Sequence, residues 1–101
     1  MSLAELQQRV RKHQMLRGHR LRLFDIFCQA EGLLSLRDIQ KSMMGVNCIH
    51  QDLIQDLIDW NVIKVVGVTL HRETGAAINV YQLTGSLPKI PNIVEYKDLV
   101  E

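Results

Sequence analysis

The strongest constraint on this chain is the order of elements that the pattern of residues 36–83 predicts. A short amphipathic stretch at 36–44 is broken at Gly45, and a longer amphipathic stretch follows at 47–60. In the longer stretch Ile49, Leu53 and Leu57 recur every four residues, which predicts one buried helical stripe. Two runs rich in β-branched residues follow at 62–70 and 76–83, and Gly75 suits the turn between them. Helix, tight turn, helix and β-hairpin in succession form one supersecondary unit.

Two further helices are predicted ahead of that unit. Leu3, Leu6 and Val10 recur at helical spacing in a stretch expected to end near residue 14. Their apolar stripe is narrow, so this first helix is expected to need a partner to stay ordered. The second helix is expected at about 19–30, where Phe24 and Phe27 belong to a broad apolar face that packs into the core.

Charge is unevenly distributed along the 101 residues, although the net charge is only +1. Residues 9–22 contain six Arg or Lys side chains and no acid, whereas the rest of the chain has six basic and eleven acidic residues. A basic segment in a chain that is otherwise acidic indicates a local contact with a polyanion. The alternative interpretation is a solvated helix face, which needs no partner.

Composition predicts one cytoplasmic globular domain. A hydrophobic fraction of 47% and a charged fraction of 23% are ordinary for soluble proteins of this length. No apolar run is long enough to span a membrane, and the polar N-terminal residues lack the apolar centre of a signal peptide. Cys28 and Cys48 have apolar neighbours and are expected to be reduced thiols.

Two segments carry a resemblance to a known fold. Residues 53–63, LIQDLIDWNVI, have an apolar pair, polar residues, an Asn stop and an apolar strand, and they resemble the end of the recognition helix of a winged helix-turn-helix domain. Residues 75–84, GAAINVYQLT, resemble the return strand of the wing in bacterial and phage regulators of that type. The resemblance covers about residues 18–84.

This resemblance implies a mainly α, α+β fold. The expected architecture is a winged helix-turn-helix with three core helices and a two-stranded β wing, together with an extra N-terminal helix and a C-terminal tail. The corresponding divisions of the chain are an N-terminal helix at 1–16, a winged-helix domain at 17–85 and a C-terminal strap at 86–101.

The resemblance also implies a set of DNA-binding residues. In such domains the exposed first half of the recognition helix reads bases in the major groove, while the wing tip and the first core helix contact the DNA backbone. The matching positions here are Asn47, His50, Gln51 and Gln55 for the bases, His71, Arg72 and Thr74 at the wing tip, Arg17, Arg20 and Arg22 at the first core helix, and Lys41 in the preceding helix.

The predicted recognition helix conflicts with that role because it is acidic. Asp52, Asp56 and Asp59 lie near one helical face, and the helix contains no Lys or Arg. Carboxylates that face a duplex oppose the phosphate contacts that supply most DNA affinity. Two functions therefore stay open: a small DNA-binding transcriptional regulator of bacterial or phage type, and a protein-interaction module whose acidic helix binds a basic protein partner.

No catalytic or metal site is predicted. The histidines and cysteines lack a zinc spacing, no base accompanies a nucleophile, and no Gly-rich phosphate loop is present, so the chain is not expected to be an enzyme or to need a cofactor. A homodimer on double-stranded DNA is expected, since one such module offers little contact area. The expected dimer contacts are the narrow stripe of the N-terminal helix or the tail residues Ile93, Tyr96 and Leu99.

Overall fold

A computed structural model describes residues 2–45 and 50–89, and in these residues the chain adopts an α+β fold. Four helices and one three-stranded antiparallel sheet make up this part of the protein. In chain order the elements are α1 (Leu3–Lys12), α2 (Gly18–Gln29), β1 (Leu33–Ser35), α3 (Leu36–Ser42), α4 (His50–Asp59), β2 (Ile63–Leu70) and β3 (Ala77–Leu83).

Side chains at the helix ends explain where several helices begin and stop. The Ser2 hydroxyl accepts the main-chain N–H of Glu5 at 3.2 Å, which caps α1. At α3 the cap is reciprocal: the Ser35 hydroxyl accepts the Asp38 N–H at 3.2 Å, and the Asp38 carboxylate accepts the Ser35 N–H at 3.1 Å. Beyond α4, Asn61, the expected stop of the helix, takes the left-handed conformation with φ 59°.

The sheet has three strands where the sequence predicted two. β3 lies in the centre, with β2 on one side and the short β1 on the other, in the order β1-β3-β2. β1 pairs antiparallel with β3, so that Leu34 lies opposite Tyr81 and both side chains are buried. A strand of three residues is too short to show the alternating pattern that reveals longer strands.

The core joins all four helices to the sheet. Phe24 and Phe27 from α2, Ile39 from α3 and Leu53 and Leu57 from α4 are buried in one cluster, which confirms the predicted core positions. Residue 49, also predicted to be buried, lies outside the described residues.

Helix α1 belongs to the same core, which corrects its expected role as a free dimer surface. Leu6 is 1% exposed and Val10 is fully buried against the chain's own α2 and its neighbours. Asp25 of α2 also contacts the polar side of α1: it accepts a hydrogen bond from Gln7 at 2.8 Å and forms an ion pair with Arg11. The narrow apolar stripe is therefore covered within one chain.

The described part of the C-terminal strap runs across the end of α4. The Lys89 N–H donates to the Trp60 carbonyl at 2.8 Å, and Leu87 packs against the core. Ile93, Tyr96 and Leu99, the other expected dimer contacts, lie outside the described residues. Within residues 2–45 and 50–89, no helix has the length and apolar character needed to cross a membrane.

Candidate nucleic-acid interface

A basic cleft lies between α3 and the tip of the β2–β3 hairpin. Its volume is about 430 Å³. Among the described residues, the cationic side chains on its walls are Arg37 and Lys41 from α3 and Arg72 from the hairpin, and the one acidic side chain is Glu73. The remaining lining residues are Ser35, Thr69, Leu70, His71 and Ile78.

Local structure explains why these cations meet. Arg37 and Lys41 are four residues apart on α3, so they project from the same helical face. Ser35, which caps α3, lies opposite Val80 in the β1–β3 ladder, and this pairing places the hairpin beside the start of α3. The hairpin then reverses at residues 71–76 and carries Arg72 to the cleft.

His71 organises the hairpin tip. Its Nδ1 accepts the main-chain N–H groups of Glu73 at 3.2 Å and Thr74 at 3.3 Å, so the turn is closed by its first side chain. Gly75 takes φ 70°, and its N–H donates to the His71 carbonyl at 2.9 Å. The Arg37 guanidinium lies against the other ring nitrogen of His71. The imidazole therefore closes the hairpin turn, and its other side faces α3.

The cleft gathers some of the predicted DNA-binding residues and adds one that sequence reasoning missed. Lys41, His71 and Arg72 line it together, whereas the Thr74 hydroxyl turns back to accept the N–H of residue 76 at 3.3 Å. Arg37 was absent from the predicted set, although its spacing of four from Lys41 was a usable signal.

The predicted cations of α2 lie elsewhere. Arg20 forms an ion pair with Asp56 of α4, with its Nε at 2.9 Å and its Nη2 at 2.5 Å from the same carboxylate oxygen. Its guanidinium also lies 5.2 Å from the centre of the Trp60 ring, within cation–π range. Arg17 donates to the Gln14 side chain at 2.8 Å, and Arg22 lines a separate open groove along α2.

Helix α4 presents a polar face on the side away from the core. Gln51 and Gln55 are exposed and His50 is partly exposed, while Leu53 and Leu57 are buried on the opposite side. The Gln55 amide donates to the Asp59 carboxylate at 2.9 Å. The remaining predicted base-reading position, Asn47, lies outside the described residues.

The acidity of α4 is partly compensated within the chain. Asp56 forms an ion pair with Arg20. The other two predicted acidic side chains, Asp52 and Asp59, are exposed and do not pair with Arg20. The arrangement reduces the repulsion that a duplex would meet at this helix.

The described residues show neither a metal-binding cluster nor a reactive thiol. In residues 2–45 and 50–89, no three His, Cys, Asp or Glu side chains are grouped to hold a metal ion. Burial and, to a lesser extent, the Asp25 carboxylate raise the pKa of the Cys28 thiol from 9.0 to about 11, against the lowering effect of Arg11. A thiol with this pKa is a poor nucleophile at neutral pH.

Comparison with known proteins does not place the chain in a family. No protein-family model, curated protein or solved structure matches it. Its function must therefore be inferred from the cleft, α4 and their charges.

Proposed function

We propose that this protein is a small DNA-binding transcriptional regulator of bacterial or phage type, which holds duplex DNA with a winged helix-turn-helix. The observation that carries the proposal is the basic cleft between α3 and the hairpin. Counting the part of the chain that the structure describes, Arg37, Lys41 and Arg72 give this cleft three cations against the single carboxylate of Glu73. Cations clustered in this way suit the phosphate contacts that supply most of the affinity for DNA.

The order of elements supports the winged-helix part of the proposal. Helices α2, α3 and α4 precede the β2–β3 hairpin, and β1 joins the free side of β3. Side chains from the three helices meet in one core, with Phe27, Ile39 and Leu57 fully buried. In the proposed arrangement α4 is the recognition helix, and the hairpin, whose tip lines the cleft, is the wing.

The exposed face of α4 supplies groups suited to base edges. Gln51 and Gln55 carry amides that can bond adenine through both its donor and its acceptor. Gln55 would exchange its bond to Asp59 for such a contact, whereas Gln51 is exposed and needs no such exchange in the described structure. Gln51 is therefore the stronger candidate for sequence preference.

A protein-interaction module is the second candidate, and the exposed acids favour it. Asp52 and Asp59 are exposed on α4, where a basic protein partner would find two carboxylates. The Arg20–Asp56 pair weakens this alternative because it removes the central charge of the acidic face. The two candidate functions depend on opposite charges, since DNA binding needs the cations of the cleft and protein binding needs the acids of α4.

A salt titration of DNA binding tests the proposal. Fluorescence anisotropy with a short labelled duplex would be measured at several salt concentrations for the wild type and for R37A/K41A/R72A. Removing one cation that binds a phosphate should lower the slope of log K against log salt by about 0.9. The triple variant should therefore bind all sequences more weakly and with a flatter salt dependence.

A charge-matched variant supplies the control. Lys64 and Lys89 are exposed and line no part of the cleft, so K64A/K89A removes two charges from other surfaces and is compared with the double variant R37A/R72A. The control should keep most of the wild-type slope. If the wild type shows no salt-dependent binding to any duplex at low ionic strength, DNA binding is wrong. The D52N/D59N variant then tests binding of a basic peptide.

A further inference from the structure

The outer edge of β2 is open in the described part of the protein. β2 lies at the side of the sheet, and within residues 2–45 and 50–89 no strand pairs with its outer edge. The His71 N–H donates inward to the carbonyl of residue 76 at 2.9 Å. Main-chain groups alternate in direction along an antiparallel strand, so those of Val68 and Leu70 point outward. This edge offers a ready set of main-chain donors and acceptors.

The same strand exposes an unusual amount of apolar surface. Val65 is 50% exposed, Val68 63% and Leu70 68%. The strand register places these three side chains on one face of the sheet. Nearer the core, the same face carries Tyr81 and its buried neighbours. The apolar face of the sheet therefore extends past the core, beside a strand edge that carries no charge between Lys64 and His71.

We propose that β2 pairs antiparallel with β2 of a second copy of this chain, which joins the two sheets into one of six strands. The strand is suited to its own copy because it is neutral over 65–70, so no like charges oppose each other within the paired run when the two-fold axis lies near Val68 and Thr69. Lys64 lies four or five residues from that axis. The two lysines are thus about 25–35 Å apart, well beyond the screening length in salt.

The regular part of the strand fixes where the pairing occurs. A β-bulge between Val65 and Gly67 interrupts the β2–β3 ladder, and the run from residue 67 to residue 70 then pairs without irregularity. Val68 and Leu70, whose main-chain groups face outward, lie within this run. Pairing there places Val68 of one copy close to Val68 or Leu70 of the other.

The dimer has a consequence for the basic cleft. When identical strands pair antiparallel, the two-fold axis is perpendicular to the joined sheet, and both copies keep the same face upward. The clefts lined by Arg37 and Lys41 then open on the same side of the assembly. The dimer itself does not depend on DNA binding, and it is tested without DNA.

Sedimentation velocity of the full chain tests the pairing. The wild type should associate reversibly to a dimer, with a dissociation constant on the order of 10–100 μM, as expected for an interface of small area. V68K should be monomeric at the same concentrations, because the pairing would bring its two lysines to within about 8 Å of each other. Its circular dichroism melt should stay close to that of the wild type, since residue 68 is largely exposed.

Two further variants separate pairing from other effects of the lysine. A77K adds the same charge to an exposed position of β3 and should still dimerise. V68E should be monomeric alone, and an equal mixture of V68E with V68K should form a heterodimer at low salt, because opposite charges then face each other. A monomeric wild type throughout the concentration range overturns the proposal. Wild-type-like association of V68K, or no association in the mixture, does the same.

Discussion

The Arg20 guanidinium binds the Asp56 carboxylate through two nitrogens, at 2.9 and 2.5 Å, and so joins α2 to α4. The same guanidinium lies over the Trp60 ring at 5.2 Å. One cation thus connects the start of α2 with both the middle of α4 and its C-terminal end. It also gives the central acid of α4 a structural role, which makes an external partner unnecessary for Asp56.

A double-mutant cycle should detect this pair as a modest, salt-sensitive stabilisation. We expect a coupling free energy of about 0.5–1 kcal/mol between R20A and D56A, because both side chains are partly exposed and solvent screens their attraction. R20A alone should cost more than D56A, since it also removes the packing on Trp60. Urea denaturation at low and high salt measures both effects. A coupling unchanged by salt would contradict an ionic origin.

The Arg20–Asp56 pair also predicts unequal roles for the cations in DNA binding. If the proposed function holds, R72A should lower the salt slope by about one unit, the change expected when a single phosphate-binding cation is removed. R20A should lower it less, because Arg20 is already engaged by Asp56. Q51A should leave the slope unchanged and instead relax sequence preference by about 1–3 kcal/mol at one base pair. Equal slope changes for R20A and R72A would contradict this ranking.

Local patterns in the sequence predicted the helices and most of the core. The apolar spacing in α4 identified Leu53 and Leu57 as buried, and the Asn expected to stop this helix is Asn61, which takes the left-handed conformation. Such features depend on neighbours within one or two helical turns. They can therefore be recognised without knowing how the chain folds back on itself.

Contacts between distant segments could not be predicted in the same way. The Arg20–Asp56 pair spans 36 residues, and the pairing of β1 with β3 joins Leu34 to Tyr81. Basic residues in the 9–22 tract were all available for DNA contacts on sequence grounds, yet Arg11 and Arg20 pair with carboxylates of the chain itself. The residues of the cleft could likewise be predicted only in part, because Arg37 lines the cleft only once the hairpin has folded beside α3.

Helix α1 should contribute directly to the stability of each chain. L6A removes a side chain that is 1% exposed and should lower the free energy of unfolding by about 2–4 kcal/mol. M44A is the control, because Met44 is 77% exposed and its truncation should change stability by less than about 0.5 kcal/mol. Denaturant titrations at low protein concentration measure the difference. A stability loss for L6A that appears only at dimer-forming concentrations would place this helix in an interface instead.

The Cys28 thiol should be slow to react and should become reactive only in strong base. Burial raises its pKa from 9.0 to about 11, so at pH 8 it is ionised about a hundred times less than an ordinary thiol. Alkylation by iodoacetamide, followed at this residue by peptide mass spectrometry, should be slow at pH 8 and accelerate up to about pH 11. The same residue in urea-unfolded protein is the control and should react readily at pH 8.

The direction of the Cys28 shift also sets the sign of its effect on stability. The folded state holds the thiol proton more tightly than the unfolded state does. The contribution of this thiol to the free energy of unfolding is therefore complete below pH 9 and is lost as pH rises from 9 to about 11. C28S removes this thiol and should reduce the fall in unfolding free energy over that interval. Equal falls for C28S and the wild type, or rapid alkylation of folded protein at pH 8, would show that the thiol is ionised far more easily than its burial implies.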